Sequence, residues 1–178
     1  MWSLPLPLAG PLSLGDGYSA APLTAWDERV DRLWDSTARF AGCSVTRDAR
    51  TLRWKTAGLE VTAIARDGTL RGVVASGPKG EKPRQWEICD LLSADTGESL
   101  TATLRAAINL GHAKALEATG DTPIRQVSVL AAPHLEAALG GLGFRRDAYE
   151  FPIVVRRLDE TLTDDEIAPE RWYLSAND

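Results

Sequence analysis

The sequence predicts an α/β (α+β) fold: a mixed, mostly antiparallel central sheet flanked by helices. Three observations carry this. Arg84 to Glu117 reads as a strand, RQWEICDLL, a polar turn, SADTGES, and a long helix, LTATLRAAINLGHAKALE. An Asp-Gly pair, Asp67-Gly68, joins two alternating runs into a hairpin. The remaining segments alternate between helical and strand periodicity, so antiparallel and parallel connections both occur.

In the central strand, Trp86, Ile88, Asp90 and Leu92 alternate with Glu87, Cys89, Leu91 and Ser93. Both rows hold apolar residues, so both faces are expected to be covered. The helix that follows shows a stripe of Leu100, Leu104, Ala107, Ile108, Gly111 and Ala115. Asp95 and Glu98 predict a capping box at its start and Gly120 a C-cap at its end. A helix opening directly after a strand offers unpaired N–H groups to an anion. Here two carboxylates already stand at that place.

Taken in order, residues 1–23 are rich in Pro, Gly and Leu and read as an N-terminal arm or an edge strand, with Pro5 and Pro7 restricting any strand to an edge. Thr24 is the expected N-cap of a helix through Phe40, with Trp26, Val30, Leu33, Trp34 and Ala38 on its apolar face. A strand or connector over Cys43–Thr46 and a short helix or turn over Asp48–Lys55 follow. Trp26, Trp34 and Trp54 are expected in the core. The hairpin runs from Leu59 to Ala75, and a polar loop carrying Lys79, Lys82 and Arg84 reads as a solvated loop or as a basic patch steering an anion. After the long helix come a strand from Ile124 to Leu130 and a helix with Pro133 at N1, its stripe being Leu135, Ala138, Leu139 and Leu142. Gly143 ends that helix and Phe144 packs behind it. Two closing strands are expected over 144–149 and 151–157, then an acidic loop and docking tail over 158–178.

Composition narrows the function. The chain has 178 residues and a net charge of −5, which suits one domain and argues against a nucleic-acid partner. No run is long enough to cross a membrane, and the apolar start lacks the basic flank of a signal peptide. Two cysteines define neither a metal site nor a disulfide framework, and Cys89 reads as a small core residue. A reducing, cytoplasmic setting fits. His112 and His134 lack partner spacing and are expected in surface or capping roles. Ser93 and Ser99 lack the Gly-x-Ser-x-Gly setting of a hydrolase nucleophile.

Over residues 24–157 the element order resembles the GNAT acetyltransferase superfamily. Local stretches similar to one branch of it are Trp26 to Trp34, Arg47 to Trp54, Ile88 to Leu92, Leu142-Gly-Phe144 and Trp172 to Leu174. The resemblance implies an N-acyltransferase using acetyl-CoA or another acyl-CoA as cosubstrate, with a small-molecule or peptide amine as acceptor. It places pantetheine pairing at Leu91, Leu92 and Ser93. The diphosphate loop falls at Thr96, Gly97, Glu98, Ser99 and Leu100, where only Gly97 keeps the family's glycine pattern. The family's tyrosine position holds Leu139. Glu87 and Asp90 are the candidate bases, with Asp90 also readable as a structural carboxylate. The alternative is a non-catalytic GNAT-fold module that binds a partner, forms a homo-oligomer or pairs with a second GNAT-like half. That alternative expects the cleft to be closed by side chains or by the tail around Trp172 and Tyr173.

Overall fold

The computed structural model describes residues 1–40, 43–79, 85–118, 123–148, 161, 163, 165, 168 and 172–174. The strand expected over 151–157 and the cap expected at Gly120 lie outside these residues, as does most of the acidic stretch. Lys82 and Arg84 of the expected basic patch lie outside them too.

The described strands are β1 (Trp2–Pro5), β2 (Tyr18–Pro22), β3 (Cys43–Ser44), β4 (Glu60–Arg66), β5 (Thr69–Pro78), β6 (Gln85–Ser93), β7 (Gln126–Val129), β8 (Arg145–Arg146) and β9 (Trp172–Tyr173). The helices are α1 (Glu28–Ala38), α2 (Ala49–Lys55), α3 (Glu98–Glu117) and α4 (Glu136–Gly141), the last entered through a 3-10 turn at Pro133–Leu135. Seven strands form one sheet in the order β2-β4-β5-β6-β7-β1-β8, while β3 and β9 pair separately. Within the large sheet β6 and β7 run parallel and the other pairs are antiparallel. Among the described helices, none is long and apolar enough to cross a membrane.

The sheet is covered on both faces, as the two apolar rows of β6 require. One core packs Ile64, Val74, Trp86, Ile88 and Leu91 against Leu100, Leu104 and Ile108 of α3. The other packs Val73 and Leu92 against Val30 and Leu33 of α1 and Leu52 of α2. Leu92 is fully buried there, and truncating such a side chain to alanine costs about 2–5 kcal/mol.

The membership of these cores departs from a strict alternation, and the register explains why. Ala75 pairs with Asp90 while Ser76 pairs with Ile88, so Cys89 is an extra residue in β6. This β-bulge shifts the alternation by one. Trp86, Ile88 and Leu91 therefore share the α3 side, and Leu92 turns to the α1–α2 side. A second bulge falls in β5, where Ile64 pairs with Gly72 and Ala65 with Leu70, leaving Arg71 extra.

The hairpin turn follows from its residues. Asp67 at φ 49° and Gly68 at φ 80° are the two left-handed positions that a two-residue primed turn needs. Helix α1 begins later than Thr24 predicts: Asp27 is the N-cap and accepts from the Arg29 N–H. Both residues are good caps, and only Asp27 stands one residue before the helical backbone. Trp54 is also a correction, since it is 77% exposed on α2. Leu52 fills the core position of that short helix instead. Trp26 and Trp34 pack against the second core.

The first residues are both strand and arm. β1 lies inside the sheet between β7 and β8, not at an edge. Pro5 is tolerated because β8 pairs only with Trp2 and Ser3. The chain then crosses α3: Leu8 N–H donates to His112 Nδ1 at 3.2 Å, and Leu12 N–H donates to Asn109 Oδ1 at 2.7 Å. Asn109 returns a bond to the Leu12 carbonyl at 2.8 Å, and Arg105 donates to that of Ser13. His112 is thus a buried partner of the arm rather than a surface residue. Ala102 and Ala106 of α3 are buried as well, beyond the stripe the sequence marks. β2 then forms the far edge of the sheet, a strand that the sequence pattern did not announce.

Gly111 sets how closely α3 lies on the sheet. A Cβ there would meet Val127 Cγ2 at 2.8 Å and Trp86 Cδ1 at 3.0 Å, whereas one at Gly140 meets nothing within 4 Å. Gly111→Ala is expected to lower stability by about 1–3 kcal/mol through overpacking. Gly140→Ala, in a helix, should be neutral or stabilising by up to about 1 kcal/mol. Urea midpoints of the two variants check this contrast.

Candidate functional site

The site is built where β6 and β7 part. Their parallel ladder runs from Gln85–Gln126 to Ile88–Val129 and stops there. β6 continues through Ser93, still paired with β5. Cys89 to Ser93 thus border a wedge on their β7 side.

Backbone groups in such a wedge have to find other partners. Ala94 N–H donates to the Arg71 carbonyl, which fixes the alternation. Asp90 and Leu92 then turn their amides to β5, and Leu91 and Ser93 turn theirs to the wedge. Both wedge amides are taken. Leu91 N–H donates to Asp90 Oδ1 at 2.9 Å. Ser93 N–H donates to the Thr37 hydroxyl at 3.1 Å, and that hydroxyl lies 2.9 Å from the Ser93 carbonyl.

Asp90 is held firmly. Arg47 Nε donates to its Oδ1 at 2.8 Å, and Lys55 Nζ lies 3.3 Å from its Oδ2. The Arg47 and Asp90 side chains are both fully buried. Arg47 also donates to the Val45 carbonyl at 2.8 Å. Removing one member of a buried pair like this costs about 3–5 kcal/mol, because the other charge is left uncompensated. Glu87, the other expected base, lies before the bulge with Lys79 Nζ 2.6 Å from its Oε1.

At the start of α3 the arrangement is again closed. Asp95 Oδ1 accepts from the Gly97 N–H at 2.9 Å and the Ser99 N–H at 3.0 Å. Its Oδ2 accepts from the Ser99 hydroxyl at 2.5 Å and from Arg71 at 2.9 Å. The β5 bulge is what delivers Arg71 to this carboxylate. Burial works to raise the Asp95 pKa, but the bonds from Ser99, Gly97 and Arg71 outweigh it and hold the carboxyl below its ordinary value. Asp95 therefore does take helix amides, although Gly97 is the N-cap residue. Glu98 does not complete a capping box: its carboxylate pairs with Arg66 at 2.7 Å.

Of the residues that the resemblance assigns to acyl-CoA, Ser93, Gly97 and Ser99 gather around Asp95, since the Ser93 hydroxyl donates to the Asp95 carbonyl at 2.6 Å. Leu91, Leu92 and Leu100 are buried in the two cores. Thr96 and Glu98 are exposed. Leu139, at the family's tyrosine position, is fully buried. Thr37, Arg47, Lys55 and Arg71 complete the site, and none of them was expected there from the sequence. Only the sheet topology and the two bulges bring them to it.

The mouth of the wedge is lined by Ile88, Cys89, Asp90, Leu91, Val129, Leu130, Leu135 and Leu174, and encloses about 10 Å³. That is room for about one water molecule. Burial, with Glu87 and Asp90 nearby, pushes the Cys89 thiol up to about 12, so it is protonated and unreactive at neutral pH. Among the described residues no cluster of three His, Cys, Asp or Glu could hold a metal ion.

No family model matches the chain, and no curated protein matches it. Two solved structures of TTHA1254 from Thermus thermophilus do, one of a point mutant and one of the wild type. Each is 19% identical, over 80% of this chain and 98% of the other. The TM-scores are 0.46 and 0.42, too low to carry an argument about function.

Asp95 gives an acid-sensitive stability term. Its folded pKa is depressed, so its contribution is complete above the unfolded value of about 3.9 and is lost as pH falls through the lower folded value. Asp95→Ala is expected to cost about 1–2 kcal/mol at neutral pH, the range of a lost helix cap. The urea midpoints of wild type and variant should converge as pH drops from 5 to about 2.5. A gap that stays constant over that range contradicts the assignment.

Proposed function

We propose that this chain is a non-catalytic GNAT-fold module, acting by binding a partner or by assembling with another copy or a second GNAT-like half. The observation that carries this reading is the occupancy of the backbone by the chain's own side chains. Asp90 and Thr37 take the amides of Leu91 and Ser93, where pantetheine would pair. Asp95 takes those of Gly97 and Ser99, where a diphosphate would sit. A carboxylate also repels a phosphate at contact distance, by roughly 1–4 kcal/mol per pair of unit charges at effective dielectric constants of 80 to 20. A reducing, cytoplasmic setting belongs to the same reading and agrees with the buried free thiol of Cys89.

One observation favours the second reading, an N-acyltransferase that uses acetyl-CoA or another acyl-CoA. β6 and β7 diverge beside a bulge, which is the kind of irregularity that re-aims strand groups toward a ligand. In that reading Glu87 or Asp90 accepts the proton of the amine.

Calorimetry with acetyl-CoA separates the two. The non-catalytic reading predicts no saturable heat up to about millimolar ligand, a binding energy weaker than about 4 kcal/mol. It also predicts no release of CoA thiol in the presence of a mixture of primary amines. Saturable one-to-one binding with turnover would establish the acyltransferase instead.

A further inference from the structure

We propose that the cleft between the N-terminal arm and the start of α3 binds a small zwitterion, its carboxylate at Arg105 and its ammonium at Asp16. The cleft lies toward the β2–β4 edge of the sheet, away from the β6–β7 wedge, and the inference goes beyond the reading above.

The arm and α3 build its walls. The cleft encloses about 500 Å³, within the size range of small-molecule sites. Leu14 and the Tyr18 ring supply apolar surface, and Asp16, Arg66, Glu98 and Arg105 supply charge. Bonds between distant parts of the chain hold these walls in place. Leu12 is fixed to Asn109, and Arg105 donates to the Ser13 carbonyl at 3.1 Å. The Tyr18 hydroxyl lies 3.2 Å from Ser99 Oγ. The Tyr18 N–H donates to the Gly15 carbonyl at 3.2 Å, which closes the turn that carries Asp16.

The charges decide the ligand. Arg66 and Glu98 neutralise each other at 2.7 Å, and Arg66 also lies over the Tyr18 ring, 5.3 Å from its centroid. That leaves Arg105 and Asp16. Arg105 is half-buried, it donates to a neutral carbonyl, and it has no carboxylate partner among the described residues. Asp16 has no ion-pair or hydrogen-bond partner among them. Two opposite charges therefore line one cleft without pairing with each other. A simple anion would gain Arg105 but face Asp16 and Glu98, and a simple amine would face Arg105. A molecule with one group of each sign, such as a free amino acid or a short peptide, complements both.

Titrations of the full chain, followed by amide NMR, test this. The probes are L-leucine and glycyl-L-leucine, which hold their two charges at different separations. Each is compared with its N-acetylated form, which keeps only the carboxylate, and with its C-terminal amide, which keeps only the ammonium. At least one zwitterion should give saturable shifts at Gly15, Gly17 and Thr101, with a Kd of about 1 mM. It should bind about two- to fivefold more tightly than either of its blocked forms, the range of an exposed ion pair. Arg105→Gln should erase the preference over the amide and Arg105→Lys should keep it. Asp16→Asn should erase the preference over the N-acetylated form. Urea midpoints show that each variant is folded. A blocked form that binds wild type as tightly as its zwitterion would overturn the proposal, as would preferences unchanged in Arg105→Gln and Asp16→Asn. So would the absence of saturable shifts with both zwitterions up to about 10 mM. Acetyl-CoA binding at the wedge is read at Leu91 and Ser93, so the two readings fail separately.

Discussion

Everything at the centre of this molecule follows from the point where β6 loses β7. A strand that continues after its neighbour has left carries donors and acceptors into a space lined mostly by apolar side chains. Leaving a buried polar group unpaired costs about 1–3 kcal/mol. Asp90 and Thr37 satisfy the groups in this stretch. Asp90 in turn requires Arg47 and Lys55, since an unpaired buried charge is costly. One geometric event thus recruits α1, α2 and the connector before α2 to a single place.

The same logic holds one turn further on. A helix that starts where a central strand ends has free amides, and these can be given to a ligand or to a side chain. Here Asp95 has them, backed by Arg71 and Ser99. The two β-bulges are the enabling irregularities: the one at Cys89 re-phases the β6 faces, and the one at Arg71 aims a guanidinium at Asp95. In both the wedge and the helix start these named groups are already partnered, and the proposed non-catalytic reading rests on that.

Much of the frame was legible in the sequence because local rules suffice for it. The left-handed pair Asp67-Gly68, the long apolar stripe of α3 and the Gly143 turn before Phe144 each declare themselves within a few residues. The Gly143 turn has φ 86°, and the Phe144 N–H donates to the Leu139 carbonyl. What the sequence did not disclose depends on partners distant in the chain. Strict alternation placed Asp90 and Ile88 in one row, because a bulge leaves no local mark. Thr37 and Arg47 became site residues only through contacts with Ser93 and Asp90, which lie 56 and 43 positions away. Trp54 was expected inside by residue type alone, but α2 has too few turns to bury more than its Ala49 and Leu52 side. The role of the first residues as a layer over α3 likewise needed Asn109 and His112 to be seen beside the arm.

Whether the wedge amides are satisfied from within decides between a closed and an open cleft. Amide hydrogen exchange, resolved by residue with NMR, measures this most directly. Satisfaction by Asp90 and Thr37 predicts that Leu91 and Ser93, which lie beyond the last β6–β7 pair, exchange as slowly as Asp90 and Leu92, which pair with β5. Exchange of Leu91 and Ser93 at nearly the rate of an unstructured chain, with Asp90 and Leu92 still protected, would contradict it and reveal an open cleft.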